Sequence, residues 1–140
     1  MTYAKLMHED FMQRNDYNCA EAMLSAANEA YELNLDERSL RMASPFGGGM
    51  GCEHACGALT GGLMALGCMR GRTVAHQDTR LAALRDAYVE RFRERFGSID
   101  CSTIKPAHRS ETRGCAPVVE AAAVLLEEIL SRPATPSSAG

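Results

Sequence analysis

Apolar residues recur along this chain every three or four positions and do not alternate with polar ones over any segment. This period is typical of amphipathic helices, because residues three and four apart share one helical face. Aromatic residues make up only 6% of the chain and no segment is enriched in β-branched residues, so no strand is predicted. The predicted helices have approximate bounds of 3–14, 19–33, 37–43, 78–96 and 117–130, and a further helix begins between residues 53 and 57 and ends near 69. A short turn is predicted at 101 and a polar loop over 105–113.

These elements predict an all-α fold, a single-domain irregular bundle of about five main helices plus short helical turns. The domain is expected to span residues 1–131, followed by a disordered tail over 132–140 that is rich in Pro, Ser and Ala. Asp78 is predicted to open the helix that ends near 96, whose inward-facing residues would be Leu81, Leu84, Tyr88, Phe92 and Phe96. The inward-facing residues of the last helix would be Val118, Ala121, Ala122, Leu125 and Ile129.

Small residues on two predicted helices would let a neighbouring backbone come close. The two small-residue faces comprise Ala22, Ala26 and Ala30 on one helix, and Gly57, Ala58, Gly61 and Gly62 on the other. Such faces are compatible with close packing inside the domain and with a homodimer, and the sequence does not choose between them.

Composition narrows the classes of function. The chain has 140 residues and a formal net charge of −3 at pH 7, so it lacks the basic character expected of a protein that binds nucleic acid or an anionic membrane. No run of 18 apolar residues could insert across a bilayer. The N-terminus lacks a basic stretch followed by a long apolar one, so no signal peptide is predicted and a cytoplasmic location is expected.

Six cysteines stand at positions 19, 52, 56, 68, 101 and 115. A reducing cytoplasm disfavours static disulfides, so redox, catalytic or metal-binding roles gain weight over structural bridges. Four of the six share one predicted setting at the start of a helix or helical turn, namely Cys19, Cys56, Cys101 and Cys115. The partial positive charge at a helix N-terminus stabilises the thiolate, which is the form that attacks disulfides and binds metals.

The other two cysteines fit this setting less well. Cys68 lies inside an apolar helical run and is predicted to be a core residue. Cys52 precedes Cys56 in a Cys-x-x-x-Cys spacing, with His54 between them. This spacing could place two sulfurs on one side of a turn, but it is not the Cys-x-x-Cys of zinc ribbons or thioredoxins. His54 is predicted to be a loop residue.

The glycine-rich segment around these thiols carries a recognisable pattern. It continues from Gly49-Met50-Gly51 to Cys56-Gly57-Ala58-Leu59-Thr60-Gly61. Together with the upstream Cys19 and the downstream Cys101 and Cys115, this pattern resembles the C_GCAxxG_C_C family of small prokaryotic proteins, which are described as redox-active. The resemblance covers almost the whole chain and implies that Cys19, Cys56, Cys101 and Cys115 form the functional set. Cys52 and Cys68 depart from the family's pattern.

Three hypotheses follow. In the first, Cys56 is a reactive thiolate in a thiol–disulfide protein, with close backbone access through Gly51 and Gly57, and either Cys19 or Cys52 resolves it. Gly51, Gly57 and Gly61 are the candidate cofactor-binding residues. Cys101 and Cys115 would then form a second pair or complete the site.

In the second hypothesis, Cys19, Cys56, Cys101 and Cys115 hold an iron–sulfur cluster or zinc in an electron-transfer module. The resemblance points the same way, because related modules fused to multihaem cytochromes have been suspected of holding an iron–sulfur centre. In the third, the chain is a helical interaction domain with buried cysteines. The partner is expected to be an unidentified redox protein or a small-molecule substrate. Close spacing of the four sulfurs would support either the redox or the metal hypothesis, whereas scattered sulfurs would favour the interaction domain.

Overall fold

The computed structural model describes residues 2–76 and 80–131. Regular structure within these residues is helical, which confirms the all-α prediction. The α-helices are α1 (Tyr3–Met7), α2 (Phe11–Arg14), α3 (Cys19–Ala30), α4 (Glu37–Arg41), α5 (Gly57–Arg70), α6 (Leu81–Phe96), α7 (Cys101–His108) and α8 (Ala116–Ser131). A 3₁₀ turn (Ser44–Phe46) and a wide turn (Gly49–Glu53) connect α4 to α5. None of the described helices is long and apolar enough to cross a bilayer.

The predicted first helix is wrong as a single element. Asp10 adopts a left-handed backbone (φ 58°, ψ 33°) and divides the segment into α1 and α2. Tyr3 on α1 is fully buried, and its hydroxyl donates a hydrogen bond of 2.8 Å to the carbonyl oxygen of Met23 on α3. The N-terminal segment is therefore attached to the centre of the bundle by a buried polar contact.

Helices α3 and α5 pack so closely that their backbones touch. A Cβ atom added to Gly61 would lie 2.5 Å from the carbonyl oxygen of Ala20, a distance that no side chain tolerates. On the neighbouring face of α5, the ring of Tyr88 lies against Gly62, and its hydroxyl donates a 2.9 Å hydrogen bond to Ala58. The small-residue face of α5 therefore serves packing within the domain.

The two long C-terminal helices differ from the predicted ones in detail. Helix α6 begins at Leu81, after Arg80 with a left-handed backbone, and is capped after Phe96 by Gly97, which is also left-handed. The predicted first residue of this helix, Asp78, and the predicted tail over 132–140 lie outside the described residues. Of the inward-facing residues predicted, those fully or nearly buried are Tyr88, Phe92, Phe96, Val118, Ala122 and Ile129. Those only partly buried are Leu81, Leu84, Ala121 and Leu125.

The segment between α6 and α8 is more helical than predicted. Helix α7 continues through Pro106 to His108, where the sequence indicated a turn and then a loop. The loop that follows is fastened by Arg113, whose guanidinium pairs with the buried Glu120 of α8 and, at 3.0 Å, with Asp10. This clamp fixes the entry of the chain into α8.

Candidate functional site

Each of the four cysteines predicted at a helix start does lie at one. Cys19 and Cys101 are the first residues of α3 and α7, whereas Cys56 and Cys115 immediately precede α5 and α8. The carbonyl oxygen of Cys115 accepts bonds from the amides of Val118 and Val119 (3.0 and 3.1 Å), as expected of an N-cap residue. All four thiols line one cavity, so four helix N-termini converge on it.

Cys19 and Cys56 are brought together by the contact between α3 and α5. The start of α3 is set by a complete capping box, in which Asn18 and Glu21 exchange hydrogen bonds of 2.9 Å. A Cβ atom on Gly57 would lie 3.1 Å from the Cβ atom of Cys19. Glycine at this position therefore allows the first turn of α5 to lie against the first residue of α3.

Cys56 and Cys101 are brought together by backbone pairing. The amide of Cys56 donates to the carbonyl oxygen of Ile99 at 2.7 Å, and the amide of Cys101 donates to that of His54 at 2.6 Å. Gly49, which has a left-handed φ of 61°, lies beneath this pairing, and a Cβ atom there would come within 2.8 Å of the Cβ atom of Cys101. The glycine-rich segment thus builds the wall of the cavity that carries these two thiols.

The cavity has a volume of about 180 Å³. Its other lining residues are glycines, two apolar residues and two cationic residues. Besides the four cysteines, the lining residues are Gly48, Gly49, Gly57, Ile104, Lys105, Arg109 and Val118.

Cys19 and Cys115, which both line the cavity, affect each other's acidity. Hydrogen bonding from the Cys19 side chain lowers the pKa of Cys115 to about 6, assisted by the positive charges of Arg109 and Lys105, while partial burial opposes the shift. The same interaction and its own burial raise the pKa of Cys19 well above that of an ordinary thiol. The two shifts have opposite directions, so they favour a thiolate on Cys115 beside a protonated Cys19.

Cys56 does not carry the acidic thiol that its position at a helix start predicted. Burial raises its pKa to about 11, although the amides of Ala58 and Leu59 favour the thiolate. Only 5% of Cys56 is exposed, so the loss of hydration outweighs those two amides. Burial likewise raises the pKa of Cys101, and the nearby Lys105 opposes the shift.

The other two cysteines do not line this cavity. Cys52 is exposed in the wide turn, and its thiol donates to the carbonyl oxygen of Gly49 at 3.5 Å. Cys68 is also exposed, so its predicted place in the core is wrong. His54 is exposed, as expected of a loop residue, and it contributes its backbone to the site.

The three glycines expected near the reactive thiol have different places. Gly57 lines the cavity, Gly61 packs against Ala20 away from it, and Gly51 has a φ of 73° at an exposed position in the wide turn. Gly48 and Gly49 line the cavity instead. The backbone access to the site therefore comes from the part of the glycine run nearest α4.

Sequence reasoning missed Lys105 and Arg109 as site residues. Both line the cavity, and both favour the thiolate form of Cys115. Lys105 and Arg109 follow Cys101 at intervals of four residues, and Arg109 is the residue that caps the end of α7. All three therefore lie on one side of this helix. This spacing is visible in the sequence, but Pro106 concealed it by indicating a loop.

The described residues do not form a metal centre. Within residues 2–76 and 80–131, no three His, Cys, Asp or Glu side chains are placed so that they could hold one metal ion. The arrangement of the four thiols therefore gives no support to the zinc or iron–sulfur hypothesis.

Comparison with known proteins gives one match. A family model described as "Putative redox-active protein (C_GCAxxG_C_C)" matches residues 17–129, which include all four cysteines of the cavity. Searches of the curated proteins and of the solved structures gave no match.

Proposed function

We propose that this chain, which belongs to the C_GCAxxG_C_C family, is a thiol–disulfide redox protein whose working pair is Cys19 and Cys115. The observation that carries the proposal is that all four helix-start cysteines line one cavity together with Lys105 and Arg109. Within this set, Cys19 and the two cations favour the thiolate form of Cys115. A thiolate beside a thiol, with access to a cavity, is the arrangement that thiol–disulfide exchange requires.

The proposed reaction begins at Cys115. Its thiolate attacks one sulfur of a substrate disulfide, forming a mixed disulfide and releasing the other half of the substrate as a thiolate. Cys19 then loses its proton to solvent or to the released thiolate and attacks the Sγ atom of Cys115. This step forms a Cys19–Cys115 disulfide and releases the second half of the substrate, so the protein loses two electrons and the substrate gains them.

Cys56 and Cys101 have a different place in the proposal. Their raised pKa values keep both as thiols near neutral pH, so neither is the first nucleophile. They line the same cavity and are held together by the backbone bonds between segments 54–56 and 99–101. We assign them to a second, less accessible pair that can exchange with the first.

The shared cavity also bears on the scaffold hypothesis. Cysteines that served only as small core residues would have no reason to share a cavity with Lys105 and Arg109. A nearby cation has little effect on a neutral thiol, but it stabilises the thiolate. The cationic wall therefore favours a chemical role for Cys115 over a packing role.

The test is to map the disulfides formed under mild oxidation. The reduced protein is treated with 2-hydroxyethyl disulfide, quenched with acid, alkylated and analysed by peptide mass spectrometry. A Cys19–Cys115 disulfide is expected as the first intramolecular product, and Cys115→Ser should abolish it. Cys68→Ser is the matched control, because Cys68 is exposed and lies outside the cavity. A first product that joins Cys52 to Cys56, or that leaves Cys19 and Cys115 free, would contradict the proposal.

A further inference from the structure

The mouth of the cavity carries two positive charges that the dithiol chemistry alone does not require. Lys105 and Arg109 lie one helical turn apart, with about 40% of the Lys105 side chain exposed. Lys105 has a long ion pair of 3.9 Å with Glu53. Within the described part of the chain, Arg109 has no carboxylate at ion-pair distance, so its guanidinium is available to a ligand.

The two cations also line a second depression. An open groove of about 540 Å³ is bounded by Lys105, Pro106, Arg109, Ser110 and Glu111. Because Lys105 and Arg109 line both spaces, the groove lies next to the cavity. Both positive charges are therefore placed to contact a ligand that lies in either space, although the groove also carries the carboxylate of Glu111.

The sizes of the two spaces limit what can enter. A cavity of about 180 Å³ has room for several water molecules or for a small group of a ligand. A disulfide group with its neighbouring carbons can occupy the cavity while the rest of the ligand lies in the groove. A small flexible molecule meets this requirement more readily than a disulfide held inside a folded protein.

We propose that the substrate is a small aliphatic disulfide that carries carboxylate groups. Lys105 and Arg109 bind a carboxylate at the mouth of the cavity and so place the disulfide against Cys115. A guanidinium matches the planar geometry of a carboxylate, and bonds between charged groups are stronger than those between neutral ones. This inference rests on the proposed thiol–disulfide function and adds the class of substrate to it.

The reaction balances without a further oxidant. The Cys115 thiolate attacks the nearer sulfur of the bound disulfide and displaces one carboxylated thiolate, after which Cys19 displaces the other from the Sγ atom of Cys115. One disulfide bond is broken in the substrate and one is formed in the protein. Two carboxylated thiols leave, after the proton of Cys19 and one from solvent have been taken up.

The experiment compares three aliphatic disulfides of different charge. These are dithiodiglycolate, which is anionic, 2-hydroxyethyl disulfide, which is neutral, and cystamine, which is cationic. The rate of Cys19–Cys115 disulfide formation is measured by quench and mass spectrometry at pH 8.5, where the Cys115 thiol, with a pKa of about 6, is ionised. Comparing ratios of rates between variants cancels the different leaving groups of the three reagents.

Arg109→Gln is expected to lower the ratio of the dithiodiglycolate rate to the 2-hydroxyethyl disulfide rate roughly fivefold, the size of one partly exposed charge pair. Arg109→Glu should make cystamine the preferred reagent, and Arg109→Lys should retain most of the preference for dithiodiglycolate. Arg85→Gln is the matched control, because Arg85 is an exposed arginine on α6 that pairs with Asp86 and does not line the cavity.

The outcomes separate this inference from the function on which it rests. If the rate ratios stay unchanged in Arg109→Gln and Lys105→Gln while the Cys19–Cys115 disulfide still forms, the class of substrate is wrong and the dithiol function stands. If none of the three reagents produces that disulfide in the unaltered chain, both proposals fail.

Discussion

Replacing Cys19 with alanine should make Cys115 a weaker acid. The thiol of Cys19 is the largest single cause of the low pKa of Cys115, ahead of Arg109 and Lys105. Alanine removes the hydrogen-bond donor and leaves both cations in place. Because Cys19 is the first residue of α3, where alanine is well tolerated, the helix itself should be preserved.

The size of the effect follows from the bond that is lost. A hydrogen bond to a charged group contributes about 1.5–3 kcal/mol. Since 1.36 kcal/mol corresponds to one pH unit in the midpoint of an acid, the midpoint for Cys115 should rise from about 6 to about 7–8. The cations should keep it below the ordinary value of a thiol.

The assay is the pH dependence of alkylation at this one residue. The protein is treated with iodoacetamide between pH 4.5 and pH 9.5, and labelling of the peptide that contains Cys115 is followed by mass spectrometry. The thiolate is the reacting form, so the rate rises as the pH passes through the pKa of the thiol. The two exposed cysteines give separate peptides and provide an internal comparison.

Two matched variants complete the design. Cys19→Ser retains a hydroxyl donor, so it should keep most of the acidity of Cys115 while abolishing the disulfide. Cys101→Ala removes a neighbouring thiol that does not donate to Cys115, so its midpoint should stay near that of the unaltered chain. A midpoint that remains at about 6 in Cys19→Ala would refute the hydrogen-bond explanation and leave the two cations as the source of the acidity.

Two further predictions concern the fold around the site. Gly61→Ala should lower the free energy of unfolding by about 1–3 kcal/mol, because the added Cβ atom would lie 2.5 Å from the backbone of α3. Gly67→Ala has no such contact within 4 Å, so it should raise the free energy of unfolding by about 0.5–1 kcal/mol. Urea denaturation of the two variants checks this, and equal stabilities would contradict it. Between pH 8.5 and pH 10 the free energy of unfolding should fall as the pH rises. The reason is that Cys56 keeps its proton in the folded chain up to a pKa of about 11 and loses it at a lower pH when the chain is unfolded. Cys56→Ala should make this fall shallower, and an unchanged slope would show that burial does not raise the pKa of Cys56.

Local sequence signals were sufficient to predict that four of the cysteines lie at helix starts. Asn18 with Glu21 indicates the start of α3, and Cys115 followed by Pro117 indicates the start of α8. Such capping signals depend on a few adjacent residues, so they can be recognised without knowing the tertiary fold. The predicted all-α architecture and the small-residue face of α5 rest on equally local patterns.

The contents of the site could be predicted less well, because they depend on contacts between distant segments. Pro106 indicated a loop, yet α7 continues through it and brings Lys105 to the cavity. The break at Asp10 likewise accompanies its pairing with Arg113, more than a hundred residues away in the sequence. Neither contact leaves a periodic signal, since each joins two segments whose separation in the chain is arbitrary.

A helix N-terminus is therefore insufficient to identify the nucleophile among these cysteines. All four lie at such a terminus, where a charged group gains about 0.3–1 kcal/mol, which is less than one pH unit. Yet the pKa of Cys115 is lowered to about 6 and that of Cys56 is raised to about 11. Burial and a neighbouring thiol or cation can each shift a thiol by more than the helix does. The cationic face of α7 and the thiol of Cys19, rather than the shared position at a helix start, single out Cys115.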